Sequence, residues 1–403
     1  MWKTVKINDV CLVTDYVANG SFKSLSDNVK YLTNDGHAIL VRLTDFTKGW
    51  NGNYKYVDEH AYNFLAKTKL FAGDLLISNV GEPGKTFLVP ELEMLMTLGP
   101  NSILVRPNNG VLNTKFFKYF IDSLYGKALL DKIISGTTQK KFNKTGFRNL
   151  EIPIPSLAEQ ERIVAKLDAA FAEIDEAVNA AIAKETEVQK LKASFLSSSL
   201  SGDAVMWKTQ KLSDVIEKGE TVNPTTNPDT KFSYIDVSSV DRKNFSISKI
   251  QTLRGKDAPS RARRLVKTGD VLFATVRPTL QRIAIVPEKL NGEVCSTGYI
   301  VLRPKASIIC NKFIFYYMLS EKVNTQMEAM QTGASYPAVN NTQVKNLHVS
   351  FPSLSEQKLI VARLDRAFSE LKNANEVIVK SKANYLALKS AILTKELQSN
   401  EAA

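Results

Sequence analysis

"PSLAEQERIVAKLDAAF" occupies Pro155–Phe171, and the chain writes nearly the same text again, "PSLSEQKLIVARLDRAF", at Pro352–Phe368. Ser156 and Glu159, like Ser353 and Glu356 in the second copy, have the S-x-x-E spacing of a capping box, so each stretch opens a helix. Apolar residues then keep 4,3 spacing: Ile163, Leu167, Ala170, Ile174, Ala177, Ala181, Val188, Leu191 and Phe195 in the first copy. The second stripe is in the same register, at Ile360, Leu364, Ala367, Leu371, Ala374, Ile378, Tyr385, Leu388 and Ile392, with Lys184 and Ser381 at the matching breaks. Heptads sustained this long indicate coiled-coil helices, and a stripe this narrow argues against a helix lying on its own domain.

Working outward, the duplication takes in the whole chain. "MWKTVKINDV" at Met1 returns as "MWKTQKLSDV" at Met206, and the Gly73-Asp74 strand "GDLLISNV" returns as "GDVLFATV" at Gly269-Asp270. Arg106-Pro107 matches Arg303-Pro304, and "KFFKYF" at Lys115 matches "KFIFYY" at Lys312. A period of about 200 residues is a tandem duplication of domains and no solenoid. Short β-branched runs bounded by Gly, Pro and Asp read as strands, and the segments after Lys115 and Lys312 read as helices. The expected class is therefore α+β: two tandem mixed α/β domains separated by a long antiparallel two-helix coiled coil, a pseudo-twofold internal repeat. The expected boundaries are 1–154 for the first globular domain, 155–203 for the first helix, 204–351 for the second globular domain and 352–403 for the second helix. Antiparallel pairing follows from connectivity, because each helix leaves its own domain directly; the rod would be about 60 Å long at 1.5 Å per residue.

The 403 residues are 44% apolar and carry a net charge of +12. That charge is unevenly spread: +5 over residues 1–155, −4 over 156–205, +9 over 206–352 and +2 over 353–403. Two separate basic blocks suit a polyanion. Cys11, Cys295 and Cys310 lie far apart, as do His37, His60 and His348, so neither a disulfide framework nor a metal site is expected. No signal-like or membrane-spanning run occurs in the sequence, and a cytoplasmic location is expected.

Enzymatic readings fail on inspection. "NVGEPGKT" at Asn79–Thr86 ends like a phosphate-binding loop, but the first glycine of that motif falls on Asn79, and the second copy has "TVRPTLQR" there. "NPTTNPDT" at Asn223 reads as a turn cluster, and Pro228-Asp229-Thr230-Lys231 lacks the rest of a nuclease pattern. No catalytic residue and no cofactor on this chain is expected. Nucleic acid fits better. The candidate contacts are Arg42, Asn79, Lys85, Lys140, Lys141 and Lys144 in the first block, the last three lying near Arg148 and interleaved with Phe142 and Phe147. In the second block they are Arg254, Lys256, Arg261, Arg263, Arg264, Arg277, Gln281 and Arg282. Arginine can fork onto guanine and Gln or Asn onto adenine, whereas lysines mostly hold phosphates. The competing expectation is a non-catalytic basic adaptor that binds RNA or an acidic protein.

"NLEIPIPSLAEQERIVAKLD" (Asn149–Asp168) and "NLHVSFPSLSEQKLIVARLD" (Asn346–Asp365), with the "GDLLIS" and "GDVLFA" strands and the loops "SGTTQKKFNKTGF" and "TGASYPAVNNTQV", together resemble the DNA-specificity subunit of Type I restriction-modification systems. The resemblance covers essentially the whole chain. It implies that each globular part is a target recognition domain reading one half of a bipartite double-stranded DNA target, and that the helices set the unread spacer. It further implies two modification subunits that bind S-adenosylmethionine and methylate adenine N6, and restriction subunits that use ATP and Mg. This chain would then choose the target while its partners carry out the chemistry.

Overall fold

The computed structural model describes residues 2–201 and 207–398. The expected boundary at 203/204, the repeated methionines Met1 and Met206, and residues 399–403 lie outside them. Contacts divide the chain into two units: residues 1–181 with 380–403, and residues 182–379. Each unit thus takes its own globular part and a share of both long helices, Leu157–Leu200 and Leu354–Leu397.

In the first unit, strands Cys11–Asp15, Ser102–Pro107, Leu75–Ser78 and Thr86–Leu88 form an antiparallel sheet in that order. A second sheet is ordered Lys55–Val57, Ala38–Val41, Leu95–Leu98, Lys69–Leu70, its middle pair parallel. The second unit has a three-stranded antiparallel sheet, Ile283–Ile285, Val271–Ala274, Tyr299–Leu302. Beside it lies a four-stranded mixed sheet ordered Gln251–Arg254, Lys231–Ile235, Val294–Ser296, Ala262–Leu265. In each unit an early strand pairs with the strand that feeds the long helix: Lys3–Lys6 with Glu151–Ile154, and Lys208–Lys211 with His348–Phe351.

The repeated letters now acquire physical reasons. Gly73 and Gly269 both turn at φ +86, which glycine tolerates. The aspartates that follow are buried and take bidentate bonds from the repeated arginines. Arg106 reaches Asp74 at 2.7 and 2.6 Å, and Arg303 reaches Asp270 at 2.8 Å twice. A buried carboxylate needs such a partner, and the fork supplies it.

The glutamine in each "EQ" is fully buried. Gln160 Oε1 accepts from Asn113 N (2.8 Å), and its Nε2 donates to Val111 O (2.9 Å) and Pro155 O (3.0 Å). Gln357 makes the same three bonds, with Cys310 N (2.9 Å), Ile308 O (3.0 Å) and Pro352 O (3.0 Å). About two turns further, Asp168 takes Tyr119 Oη (2.5 Å) and Lys115 Nζ (2.8 Å), and Asp365 takes Tyr316 Oη (2.7 Å) and Lys312 Nζ (2.5 Å). Burial, with the carboxylate beside it, pushes both tyrosine hydroxyls up, so they remain donors. Phe171 and Phe368 close each dock edge-on against those tyrosine rings, at 5.3 and 5.1 Å. The capping is half as expected: Ser156 and Ser353 accept from the backbone of Glu159 and Glu356, but the Glu159 side chain pairs with Arg162.

The helices run antiparallel within each unit. In the first, Lys166 pairs with Glu396 and Asp175 with Lys389, both at 2.7 Å. In the second, Leu196 shares a core with Ile360, Val361 and Leu364. Ile163, Leu167, Ile174, Ala181 and Val188 are buried as the stripe requires, with Ala170, Ala367, Leu371 and Tyr385 half-buried. Leu191 and Leu388 are corrections, being 50% and 48% exposed; Phe195 and Ala374 are exposed too. An α-helix drifts about 20° per heptad against a strict seven-residue repeat. Four heptads on, the drift of about 80° nearly equals the roughly 100° of one residue, and the packed positions fall one residue later, at Lys192 and Leu196 in the first helix and Lys389 in the second, while Asn375 replaces Ala374 after two heptads. Lys389 lies over Phe171 at 4.7 Å, and Lys192 over Phe368 at 4.6 Å and Phe245 at 4.7 Å. Long aliphatic stems let these cations occupy an apolar seam while the aromatic faces take the charge.

Replacing Gln160 by Leu strands one buried N–H and two carbonyls, at a cost of about 1–3 kcal/mol. Gln160→Leu and Gln357→Leu should each lower Tm by several degrees and by similar amounts; calorimetry showing only one of them destabilising would contradict the equivalence of the two docks.

Candidate nucleic-acid interface

Each unit carries the same supersecondary device, in which the turn after the Gly-Asp strand is gripped by a hairpin just upstream of the dock. In the first unit Val80–Gly81 pairs with Lys140–Lys141, and the hairpin is closed by Ser135–Lys141 bonds of 2.8 and 2.9 Å. Gly81 (φ +84) and Gly136 (φ +97) make both tight bends possible. Lys140 and Lys141 are exposed side by side. Asn79 sits at the base of the same turn, its carbonyl accepting from Phe142 N at 3.1 Å and its side-chain Oδ1 buried without a partner. Lys85, half exposed, pairs with Glu82 across the turn. The structure therefore brings Asn79, Lys85, Lys140 and Lys141 together.

The remaining candidates of the first block have their charge engaged internally. Arg42 forks onto the buried Asp45 at 3.1 and 2.7 Å and also reaches Asn53 O. This pairing holds its guanidinium above the usual range, the hydrogen bond to Asp45 being the main cause. Lys144 bonds Asp15 at 2.8 Å, and Arg148 donates to Val13 O, so both tie the hairpin's outgoing helix to strand Cys11–Asp15.

In the second unit the hairpin is Thr332–Ala338, closed by two 2.9 Å bonds and bridged to Val276. Arg277 follows Val276 with φ +49, at the position of Gly81, and Gln281 turns back with φ +50. Gln281 donates to Leu319 O (3.1 Å) and Arg282 to Val240 O (2.7 Å), so both brace the loop. Arg254, Lys256 and Arg261 are exposed and make no salt bridge among the described residues. Arg263 bonds Ala262 O, and Arg264 lies on a sheet strand opposite Cys295, its Nε buried and unpartnered. Sequence reasoning missed Tyr336, 72% exposed at the hairpin tip with the Arg277 guanidinium 4.9 Å above its ring. The available signal was an aromatic between Ser335 and Pro337 in a loop otherwise made of small residues.

Burial pushes the Cys11 and Cys295 thiols up to about 12, which makes both poor nucleophiles. Among the described residues no three His, Cys, Asp or Glu side chains converge on a metal-sized site, and no helix is long and apolar enough to cross a membrane. The geometry offers exposed cations in both units, Lys140 and Lys141 on a glycine-turned hairpin and Arg277 on a turn gripped by the second hairpin, which suit contact with phosphates and base edges.

The family model described as "Type I restriction modification DNA specificity domain" matches residues 1–184 and 204–381. A putative type I restriction enzyme MjaX specificity subunit from Methanocaldococcus jannaschii is 24% identical, covering 96% of this chain and 92% of that protein. The type I restriction enzyme EcoBI specificity subunit from Escherichia coli is 21% identical over 98% of this chain and 85% of its own length. The same fold occurs in a chain solved in a study of complex assembly and conformational transition of the type I R-M system, at 18% identity, TM-score 0.71 and 99% and 98% coverage.

Two classes of cation should separate by experiment. Lys140→Ala with Lys141→Ala should weaken duplex binding and flatten the slope of log K against log salt by up to about 1.8, at about 0.9 per phosphate contact, with Tm unchanged. Arg42→Ala strands a buried carboxylate and should instead lower Tm, by about 1–3 kcal/mol of stability; titrations at several salt concentrations and thermal melts distinguish the two.

Proposed function

The chain belongs to the Type I restriction-modification DNA-specificity family, and from that premise we propose that it binds double-stranded DNA in two places, each unit reading one half of a bipartite target. The observation that carries this reading is a division of labour inside the repeat. The docks at Gln160 and Gln357 are the same bond for bond, while the gripped turns present Gly81 and Lys140 in one unit and Arg277 and Tyr336 in the other. Identical anchoring with different tips is what two readers of different half-sites require. Lys85, Lys140, Lys141, Arg254, Lys256, Arg261 and Arg277 are the proposed DNA contacts, while Asn79, its Oδ1 buried and its Nδ2 bonded to Phe142 O, supports the first unit's turn from beneath. Relatives described as restriction-enzyme specificity subunits give the RNA or acidic-protein adaptor no support.

The chain is proposed to carry no active site and no cofactor of its own. Two modification subunits would supply S-adenosylmethionine chemistry on adenine N6, extracting the base from the duplex into their own pocket. Restriction subunits would supply ATP- and Mg-dependent steps, all in the cytoplasm where the DNA lies. The 44-residue helices, about 66 Å long each, would fix the spacer between half-sites.

The assembly of this chain with its modification subunits should bind one bipartite duplex at least about 1000-fold more tightly than a scrambled one, with steep salt dependence. Equal affinity for both would falsify the specificity reading. Removing one heptad from each long helix shortens it by about 10 Å, or about three base pairs at 3.4 Å each. Methylation sequencing should then report a shorter spacer between unchanged half-sites; altered half-sites would rule out the helices as the ruler.

A further inference from the structure

Tyr336 has no structural task that explains its position. It is 72% exposed, yet the backbone beneath it is held rigidly: Thr332 and Ala338 close the hairpin, Arg277 N donates to Pro337 O at 2.7 Å, and Arg277 Nη2 donates to Ser335 O at 3.1 Å. Gly333, at φ +99, makes the bend, and Pro337 stiffens the exit. The guanidinium of Arg277 covers one face of the ring at 4.9 Å and leaves the other to solvent. Arg277 achieves this from a left-handed conformation (φ +49, ψ 56), at the position where the first unit has the unstrained Gly81. A disfavoured backbone that persists at an exposed loop tip is a sign of a task performed there.

We infer that Tyr336 is a specificity-determining residue of the second unit, stacking its open face on a base of the bound duplex while Arg277 backs the ring. The inference rests on the two-reader function proposed above and adds the mode of reading. An exposed aromatic on a loose loop would lose its ordering entropy on binding; here hairpin and guanidinium have already fixed the ring. Stacking on a base face suits a π surface backed by a cation, and the cation lowers the electrostatic cost of approaching a polyanion. To reach a base face the ring must part a base step, so preference would fall on flexible pyrimidine–purine steps, a readout that needs no base-edge hydrogen bond. The first unit has Gln139 at the corresponding tip and Lys140 where Pro337 stands, so this wedge belongs to one half-site only.

The test is selection of bound duplexes from a random pool by the full chain assembled with its modification subunits, comparing wild type with Tyr336→Ala, Tyr336→Phe and Arg277→Gly. Tyr336→Ala should erase one or two positions of a single half-site and weaken binding of the wild-type target by roughly 10- to 100-fold, the range for one lost base stack. Tyr336→Phe should keep the motif, and Arg277→Gly, which relieves the backbone, should fall between. 2-Aminopurine placed at the parted step should brighten with wild type and stay dark with Tyr336→Ala. A motif and affinity unchanged in Tyr336→Ala overturn the inference alone, as does equal loss in both half-sites. A wild-type assembly that enriches no bipartite motif overturns the functional reading, and the inference with it.

Discussion

A buried glutamine at the first turn of each long helix is the interaction on which the rest of its unit depends. Three bonds from one amide join the helix start, the corner before it and the loop leading to the helix that begins near Lys115 or Lys312. The preceding residues form the strand that pairs with an early strand of the same unit, so the amide fixes the angle at which the sheet hands over to the helix. Such a site tolerates little, because every polar group it satisfies would otherwise be buried alone. Asp168 and Asp365, with their tyrosine and lysine partners, repeat the lock about two turns on.

Much of this was legible in the text. The repeat announced two helices of equal register, and Gly-Asp with Arg-Pro marked matched strands, although only the structure shows that the aspartate and arginine are each other's partners. Less visible was the drift of the packed face, since a heptad template holds its phase while a straight helix does not. Lys192 and Lys389 lie one residue outside the apolar stripe of the sequence, and only the phenylalanines beneath them show that they pack in the seam. Charge alone also could not sort the cations. Arg42 and Lys144 are as basic in the sequence as Lys140, but each faces a carboxylate, at Asp45 and Asp15 respectively, and pairing is a property of the fold.

The two units show how one scaffold hosts different tips. Gly81 and Arg277 occupy the same left-handed position, free of strain in one case and strained in the other. The grip of the hairpin on the turn holds either residue, so the side chain displayed there can change while the strand and dock beneath stay as they are. Recognition positions of this kind sit on short loops whose backbone is fixed from both sides, where an altered side chain leaves the core untouched.

The composition of the first unit's core has a consequence for how the molecule is made. Leu393 and Leu397, near the end of the chain, are buried in the same cluster as Ile7, Phe116 and Leu167. The unit that leaves the ribosome first is therefore the last to be completed. Between the emergence of Ala181 and that of the closing segment lie about 200 residues, a wait on the order of 10–40 s at roughly 5–20 residues per second. Throughout that interval the apolar face around Phe171 and Ile174 is uncovered, and a nascent chain in this state is a natural client for chaperones.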